Sequence, residues 1–215
     1  MNKITGSASY KYDRLAAIYD RRWQDYINHS LAFFIDFADI APETKVLDLA
    51  CGTGELAQLI LNKNPQQQIT GVDISEAMLV IAKQKLLAYT NVNLHHAAAT
   101  ELPCSDRSFD LVICANAWHY FSDSKAVLLE IRRVLKPEGK VIILDWCRDY
   151  LPLKIGDRIF KLIDPAYQQC YTQQELEKLL IAANFAPVED SKIRFGLIWE
   201  LMAIMAIAKD SVAQS

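Results

Sequence analysis

Asp48 stands four residues ahead of Gly52 in the run Val46-Leu47-Asp48-Leu49-Ala50-Cys51-Gly52-Thr53-Gly54, and Asp73 follows 19 residues after Gly54. Glycines at the turn after a strand let a ligand approach the backbone without meeting a Cβ. Gly52 to Ala57 fits the relaxed G-x-G-x-x-A dinucleotide pattern, a weak signal by itself. Asp73 is close to the separation at which an acid accepts hydrogen bonds from ribose hydroxyls. The charge of Asp48 repels a pyrophosphate and suits a sulfonium or an amine. A nucleoside carrying a positive charge satisfies both acids, and S-adenosylmethionine is such a ligand.

A second group could move protons. His119, in Asn116-Ala117-Trp118-His119-Tyr120-Phe121, is a candidate general base, because an imidazole takes a proton near neutral pH. Its alternative role is ordering the loop, since methyl transfer from a sulfonium needs alignment more than proton removal. Asp145, at the end of a later strand, can orient an amine or hydroxyl or cap a neighbouring loop. His29 is a weaker candidate, and His95 and His96 read as structural. Arg148, Lys154 and Arg158 form either a cationic patch for an acidic group or a solvated helix face. Cys51, without a base partner, reads as a small residue filling a tight turn.

These residues need a scaffold that brings strand ends together. Apolar and aromatic positions from Tyr10 to Asp39 recur at three- and four-residue steps, which predicts two helices. Strands and helices then alternate: strand 45–49, helix 55–62, strand 68–72, helix 76–88, strand 92–96, a loop to 108, strand 109–115, helix 124–135 and strand 140–145. Such alternation implies parallel βαβ units. Ser75 fits an N-cap, Pro137-Glu138-Gly139 a turn, and Thr172-Gln173-Gln174-Glu175 a capping box. An amphipathic segment, 151–164, reads as a cap. The last helix precedes two edge strands, Ala186–Ile193 and Leu197–Ile207, and 210–215 reads as a frayed tail. The expectation is an α/β, Rossmann-like, doubly wound sheet of seven mainly parallel strands with an antiparallel edge hairpin. It forms a single domain over 1–215: helical lid 1–40, core 41–145, cap 146–171, and last helix with edge strands 172–209.

Four ordered motifs carry a resemblance: Asp48-x-Ala50-Cys51-Gly52-Thr53-Gly54; Gly71-Val72-Asp73-Ile74-Ser75-x-x-Met78-Leu79; Leu102-Pro103 ahead of Ser108-Phe109-Asp110-Leu111-Val112; and Leu135-Lys136-Pro137-x-Gly139-Lys140. Over about Tyr10 to Asp145 the chain resembles the class I S-adenosylmethionine-dependent methyltransferases of the small-molecule type that includes the ubiquinone/menaquinone methyltransferases. The resemblance implies that Ala50, Gly52 and Gly54 line the methionine and ribose portion, that Asp73 holds the ribose, and that Ile74 and Met78 sandwich the adenine. It places Ala98 and Ala99 where the family often has an Asp–Ala pair reading the adenine edge, leaving the Ala99 backbone N–H and Thr100 for that task. Asn116 falls near the methionine end. Tyr12-Asp13 and Tyr19-Asp20 resemble the aromatic-plus-acid pattern that closes over the cofactor, and Tyr12 and Tyr19, seven residues apart, share a helix face. S-adenosylhomocysteine is the implied product.

Composition narrows the partners. The 215 residues are 52% hydrophobic and 23% charged, enough for a substantial core. The net charge of −3 gives no basic excess for nucleic acid. Five scattered cysteines show no zinc spacing and read as reduced thiols in a cytoplasmic protein, with no metal expected. Met1 to Tyr26 lacks the apolar run of a signal peptide, and Phe195 to Ala208, interrupted by Glu200, falls short of an integral membrane span and reads as a buried strand. Trp23, Tyr26, Trp118, Tyr120, Phe121, Trp146 and Tyr150 suggest an apolar or aromatic pocket for a small-molecule methyl acceptor. Two other readings compete with methyl transfer: a non-catalytic S-adenosylmethionine-binding module and a nicotinamide-dependent oxidoreductase. The residues leave the oligomeric state open.

Overall fold

The computed structural model of the protein describes residues 3–196 and 199–209. Seven strands form one sheet in the order β3-β2-β1-β4-β5-β7-β6. Strands β1 (Val46–Leu49), β2 (Ile69–Asp73), β3 (Val92–His96), β4 (Phe109–Ala115) and β5 (Leu135–Trp146) run parallel. Strand β7 (Trp199–Ala208) lies antiparallel between β5 and β6 (Phe185–Phe195). This is the doubly wound, Rossmann-like architecture expected from the alternation of elements, with the antiparallel strand near one edge.

The helices are α1 (Lys3–Ala38), α2 (Glu55–Lys63), α3 (Glu76–Lys85), α4 (Ser124–Val134), α5 (Leu151–Ile163) and α6 (Gln173–Ala182). All four residues of β1 are buried, because successive side chains point to opposite faces and both faces are covered. Leu47, Leu49, Val112 and Ile143 enter the layer shared with Leu128 and Ile131 of α4 and Leu176 of α6. Val46, Ile113 and Ile142 enter the opposite layer with Leu31 and Phe34 of α1 and Ile60 of α2.

The predicted caps form. Ser75 Oγ accepts from Met78 N at 3.2 Å, and Thr172 and Glu175 make a reciprocal capping box. Asp123 caps α4 by accepting from Ala126 N at 2.9 Å, a contact the sequence reading missed.

Three boundaries differ from expectation. The two N-terminal helices join without a loop as α1, kinked at Trp23 (φ −111°, ψ 15°), because no Gly or Pro stands there to separate them. Pro137-Glu138-Gly139 is not a turn ahead of β5 but an excursion within it: Phe109 pairs with Leu135 and Leu111 with Lys140, so residues 136–139 bulge opposite Asp110. Glu138 takes φ 59° there. Helix α3 stops at Lys85, three residues short of the predicted end. Leu197 of the predicted edge hairpin and the tail 210–215 lie outside the described residues.

Candidate active site

The cleft lies at the carboxyl ends of β1, β2 and β4, where parallel sheets of this kind take their ligands. It encloses about 990 Å³ of empty space, open mouth included. Of the residues singled out as cofactor ligands, Tyr12, Tyr19, Ala50, Gly52, Asp73, Ile74, Met78, Ala99, Thr100 and Asn116 all line it. Ala98, Phe121, Ser122 and Asp123 join them, the last two without forewarning from the motifs.

The floor is the turn after β1. Ala50, Gly52 and Gly54 all take positive φ, at 59°, 53° and 78°. This succession of left-handed residues suits glycine, which carries no Cβ penalty there. A Cβ on Gly52 would project into open space, so the turn is bare towards the cleft, whereas one on Gly54 would press on Leu86 at 3.0 Å and Ala82 at 3.3 Å. Gly54 therefore serves the packing of α3 and does not line the cleft.

Asp73, at the end of β2, is 9% exposed. Its Oδ2 accepts from Gly52 N and its Oδ1 from Ser75 N, both at 2.8 Å. Burial raises its pKa above the ordinary value despite the opposing pull of these backbone hydrogen bonds. Each oxygen keeps a second lone pair, so the acid ties the glycine turn to α3 and still has acceptor capacity.

Asp48 is placed differently from the expectation of a charge at the cleft mouth. It lies beneath the turn, 2% exposed and absent from the lining, with Oδ2 lacking a hydrogen-bond partner among the described residues. Burial, and then the neighbouring Asp73, push its pKa from 3.8 up to about 7. The unfolded group ionises near 3.8 while the folded one holds its proton to about 7, so its contribution to stability is full below about pH 4, falls as pH rises from there, and is wholly lost above 7. Asp48→Asn is expected to gain stability progressively over the parent protein as pH rises from about 4 to 7 and to hold that gain above 7, by up to roughly 4 kcal/mol at 1.36 kcal/mol per pKa unit. Thermal melts of the two proteins across that range check this; a constant difference would contradict it.

Helix α1 roofs the cleft through its repeated Tyr-Asp pairs. Tyr12 and Tyr19 face the cleft and meet edge-to-face at 5.9 Å, and Tyr12 packs likewise on Tyr120 at 5.4 Å. The adjoining acids fasten the helix. Asp13 accepts from Ser75 Oγ at 2.6 Å, and Asp20 accepts from Thr53 Oγ1 at 2.6 Å and Lys85 Nζ at 2.8 Å. Lys11 reaches across to Tyr120 Oη at 3.0 Å and pairs with Asp164 beyond α5.

Asn116, at φ 58°, anchors a second network that the motifs left hidden. Its Oδ1 accepts from Tyr26 Oη at 2.7 Å, its Nδ2 donates to Ser30 Oγ at 3.0 Å, and Trp146 Nε1 donates to Tyr26 Oη at 2.7 Å.

His119 and Asp145 do not line the cleft but form a buried pair beside it, 2% and 3% exposed. Asp145 Oδ1 lies 2.6 Å from His119 Nδ1, and its Oδ2 accepts from the backbone N–H of His119 at 2.7 Å. The carboxylate fixes Nδ1 as the protonated nitrogen and leaves Nε2 as the basic one. The imidazole stacks on Trp146 at 4.2 Å and 12°, within a cluster that includes Tyr167 and Phe160. Tyr120, the next residue, lines the cleft.

The other sequence candidates fall elsewhere. Trp118 is wholly buried in the core, and Tyr150 lies under Arg194 at 4.3 Å. His29 bonds to the Asp25 carbonyl and stacks on Phe195, while His96 bonds to the Ile74 carbonyl. Arg148 forks onto both oxygens of Glu175 at 2.6 and 2.8 Å, so it leaves the supposed cationic patch. Burial pushes the Cys51 thiol well above its ordinary pKa, in keeping with an inert packing residue. Among the described residues, no group of three metal-ligating side chains converges.

Solved structures share this fold. A methyltransferase from Thermotoga maritima superposes with a TM-score of 0.74 at 20% identity, covering 94% of this chain and 99% of that one. The YcgJ protein of Bacillus subtilis gives 0.72 at 22%, covering 86% and 100%. The [4+2]-cyclase SpnF also matches, at 0.70 and 19% over 87% of this chain and 82% of its own, so the architecture alone does not fix the reaction. Sequence is more decisive. A demethylmenaquinone methyltransferase of Staphylococcus aureus is 32% identical over 91% of this chain and 82% of its own length. Residues 40–184 match the family described as a methyltransferase domain. That match removes the nicotinamide-dependent alternative and agrees with a bare glycine turn and a ribose-spaced acid: the chain belongs to the class I S-adenosylmethionine-dependent methyltransferases.

Proposed function

We propose that this protein binds S-adenosylmethionine in the cleft and transfers its methyl group to an O, N or C nucleophile of a small, apolar or aromatic acceptor, with a hydroxylated aromatic ring the favoured class. The observation that carries the acceptor assignment is the aromatic wall of the cleft, formed by Tyr12, Tyr19, Tyr120 and Phe121. The Staphylococcus aureus relative is named a demethylmenaquinone methyltransferase, which supports a ring-bearing acceptor, a quinone whose reduced quinol is hydroxylated.

The cleft residues fit the cofactor. Asp73 offers acceptor lone pairs for ribose hydroxyls, and Ile74 and Met78 offer apolar walls for a purine. The bare backbone at Gly52 gives room for close approach. When bound, S-adenosylmethionine supplies an electrophilic methyl group on a sulfonium. The protein contributes alignment and exclusion of water, through Tyr12 and Tyr19 of the roofing helix. His119, held by Asp145 and buried beside the cleft without lining it, orders the segment that carries Tyr120 and Phe121 into the cleft wall.

A screen of phenols, quinols, amines and carboxylates, read by release of S-adenosylhomocysteine, tests the assignment. Turnover is expected with the phenols or quinols. Turnover confined to amines or carboxylates, or with no acceptor at all, would overturn the aromatic-hydroxyl reading.

A further inference from the structure

Helix α5 turns an apolar stripe outward. Leu151, Ile155, Ile159, Leu162 and Ile163 recur at helical spacing, and their exposures run from 49% to 87%. Residues three and four apart lie on one face, so these side chains form a continuous ridge rather than scattered exposures. A 13-residue helix makes that ridge about 20 Å long at 1.5 Å per residue.

The neighbouring strip of the same helix is cationic. Lys154, Arg158 and Lys161 are exposed and stand alongside the ridge. Lys154 and Arg158 have no ion-pair partner among the described residues, and Lys161 pairs only with Asp157. Asp157, the helix's one acid, is 3% exposed and points inward, accepting from Cys170 N at 2.8 Å and Tyr167 Oη at 2.7 Å. The outward face therefore combines aliphatic side chains and positive charge with no exposed acid. Its inner face packs Phe160 on Trp146 at 5.3 Å.

We propose that α5 is an interfacial helix that lies flat on an anionic lipid bilayer, its leucines and isoleucines entering the acyl boundary and its lysines and arginine meeting lipid phosphates. Charge complementarity selects this occupant. In a second copy of the chain, packed face to face, each cationic strip would meet another. Among the described residues no helix is long and apolar enough to cross a membrane, so attachment at the surface is the mode available to α5. The inference rests on α5 alone and holds whatever acceptor the cleft takes.

Co-sedimentation of the full chain with vesicles of phosphatidylglycerol, and separately of phosphatidylcholine, tests it. The parent protein is expected to pellet with the anionic vesicles and far less with the zwitterionic ones. Its binding should weaken in about 0.5 M salt, where the Debye length falls well below 8 Å. Ile155→Glu/Leu162→Glu should lose binding about tenfold or more. Lys154→Ser/Arg158→Ser should lose the anionic preference by about fivefold per cation. Leu162→Ser, milder at an exposed site, should keep the parent melting temperature and still bind measurably less. Failure of the parent to pellet with anionic vesicles, or equal pelleting of parent and variants, overturns the proposal. So does light scattering showing a parent dimer that the apolar variants split, with no vesicle binding.

Discussion

Asp73→Ala is expected to lower affinity for S-adenosylmethionine and S-adenosylhomocysteine roughly 5- to 150-fold, the equivalent of about 1–3 kcal/mol for hydrogen bonds to a charged acceptor. Both carboxylate oxygens already accept a backbone N–H at 2.8 Å, so the substitution also strands Gly52 N and Ser75 N and loosens the glycine turn. A cycle on the ligand separates the two effects. By calorimetric titration, removing the ribose hydroxyls from S-adenosylhomocysteine should cost the parent protein affinity and cost the variant almost nothing. An equal loss in both would leave Asp73 as a purely structural tie.

The largest stability change is expected at Asp145. Its carboxylate accepts from His119 N, His119 Nδ1 and Trp146 N at 2.6–2.7 Å inside an almost dry cluster. Asp145→Ala leaves all three donors unpaired, a loss of about 3–5 kcal/mol and a fall in Tm of roughly 6–20 °C for a chain of this size. Function is read better at its partner. Because His119 is buried and does not line the cleft, His119→Ala should lower turnover by the same factor for a neutral phenol and for an acceptor already ionised at the assay pH, by loosening the segment that carries Tyr120. A loss confined to the neutral phenol would overturn this and make the imidazole a base, since only that acceptor has a proton to give up.

The parts of this site that were legible in the sequence are local ones. The glycine turn, Asp73, Ser75 and the Thr172–Glu175 box each depend on residues a few positions apart, where spacing alone sets geometry. Ten of the cofactor candidates consequently line one cleft. What escaped detection depends on distance along the chain. Tyr26 meets Asn116 across 90 residues and Lys11 meets Asp164 across 153, and no periodicity encodes such pairs. Asp48 shows a different gap. Its position ahead of the turn was evident, but strand alternation sends its side chain to the face shared with Val46, beneath the turn. His119 and Asp145 were each singled out, while their pairing required the superposition of β5 on the loop after β4. The bulge at 136–139 was hidden because Pro-Glu-Gly reads equally well as a turn.

The place of β7 has a consequence for how the sheet is made. β5 and β6 are parallel and adjacent in the final order only through β7, which is synthesised after both and joins them by antiparallel pairing on either side. Until β7 emerges from the ribosome, β5 presents an apolar edge, Val141 to Leu144, with no neighbour on that side. Such an edge is a template for wrong pairing. The nucleotide half of the sheet, β1 to β4, can pair as it is made, whereas closure of the other half waits for a strand more than 50 residues downstream of β5 and is the slow, high-contact-order step of folding.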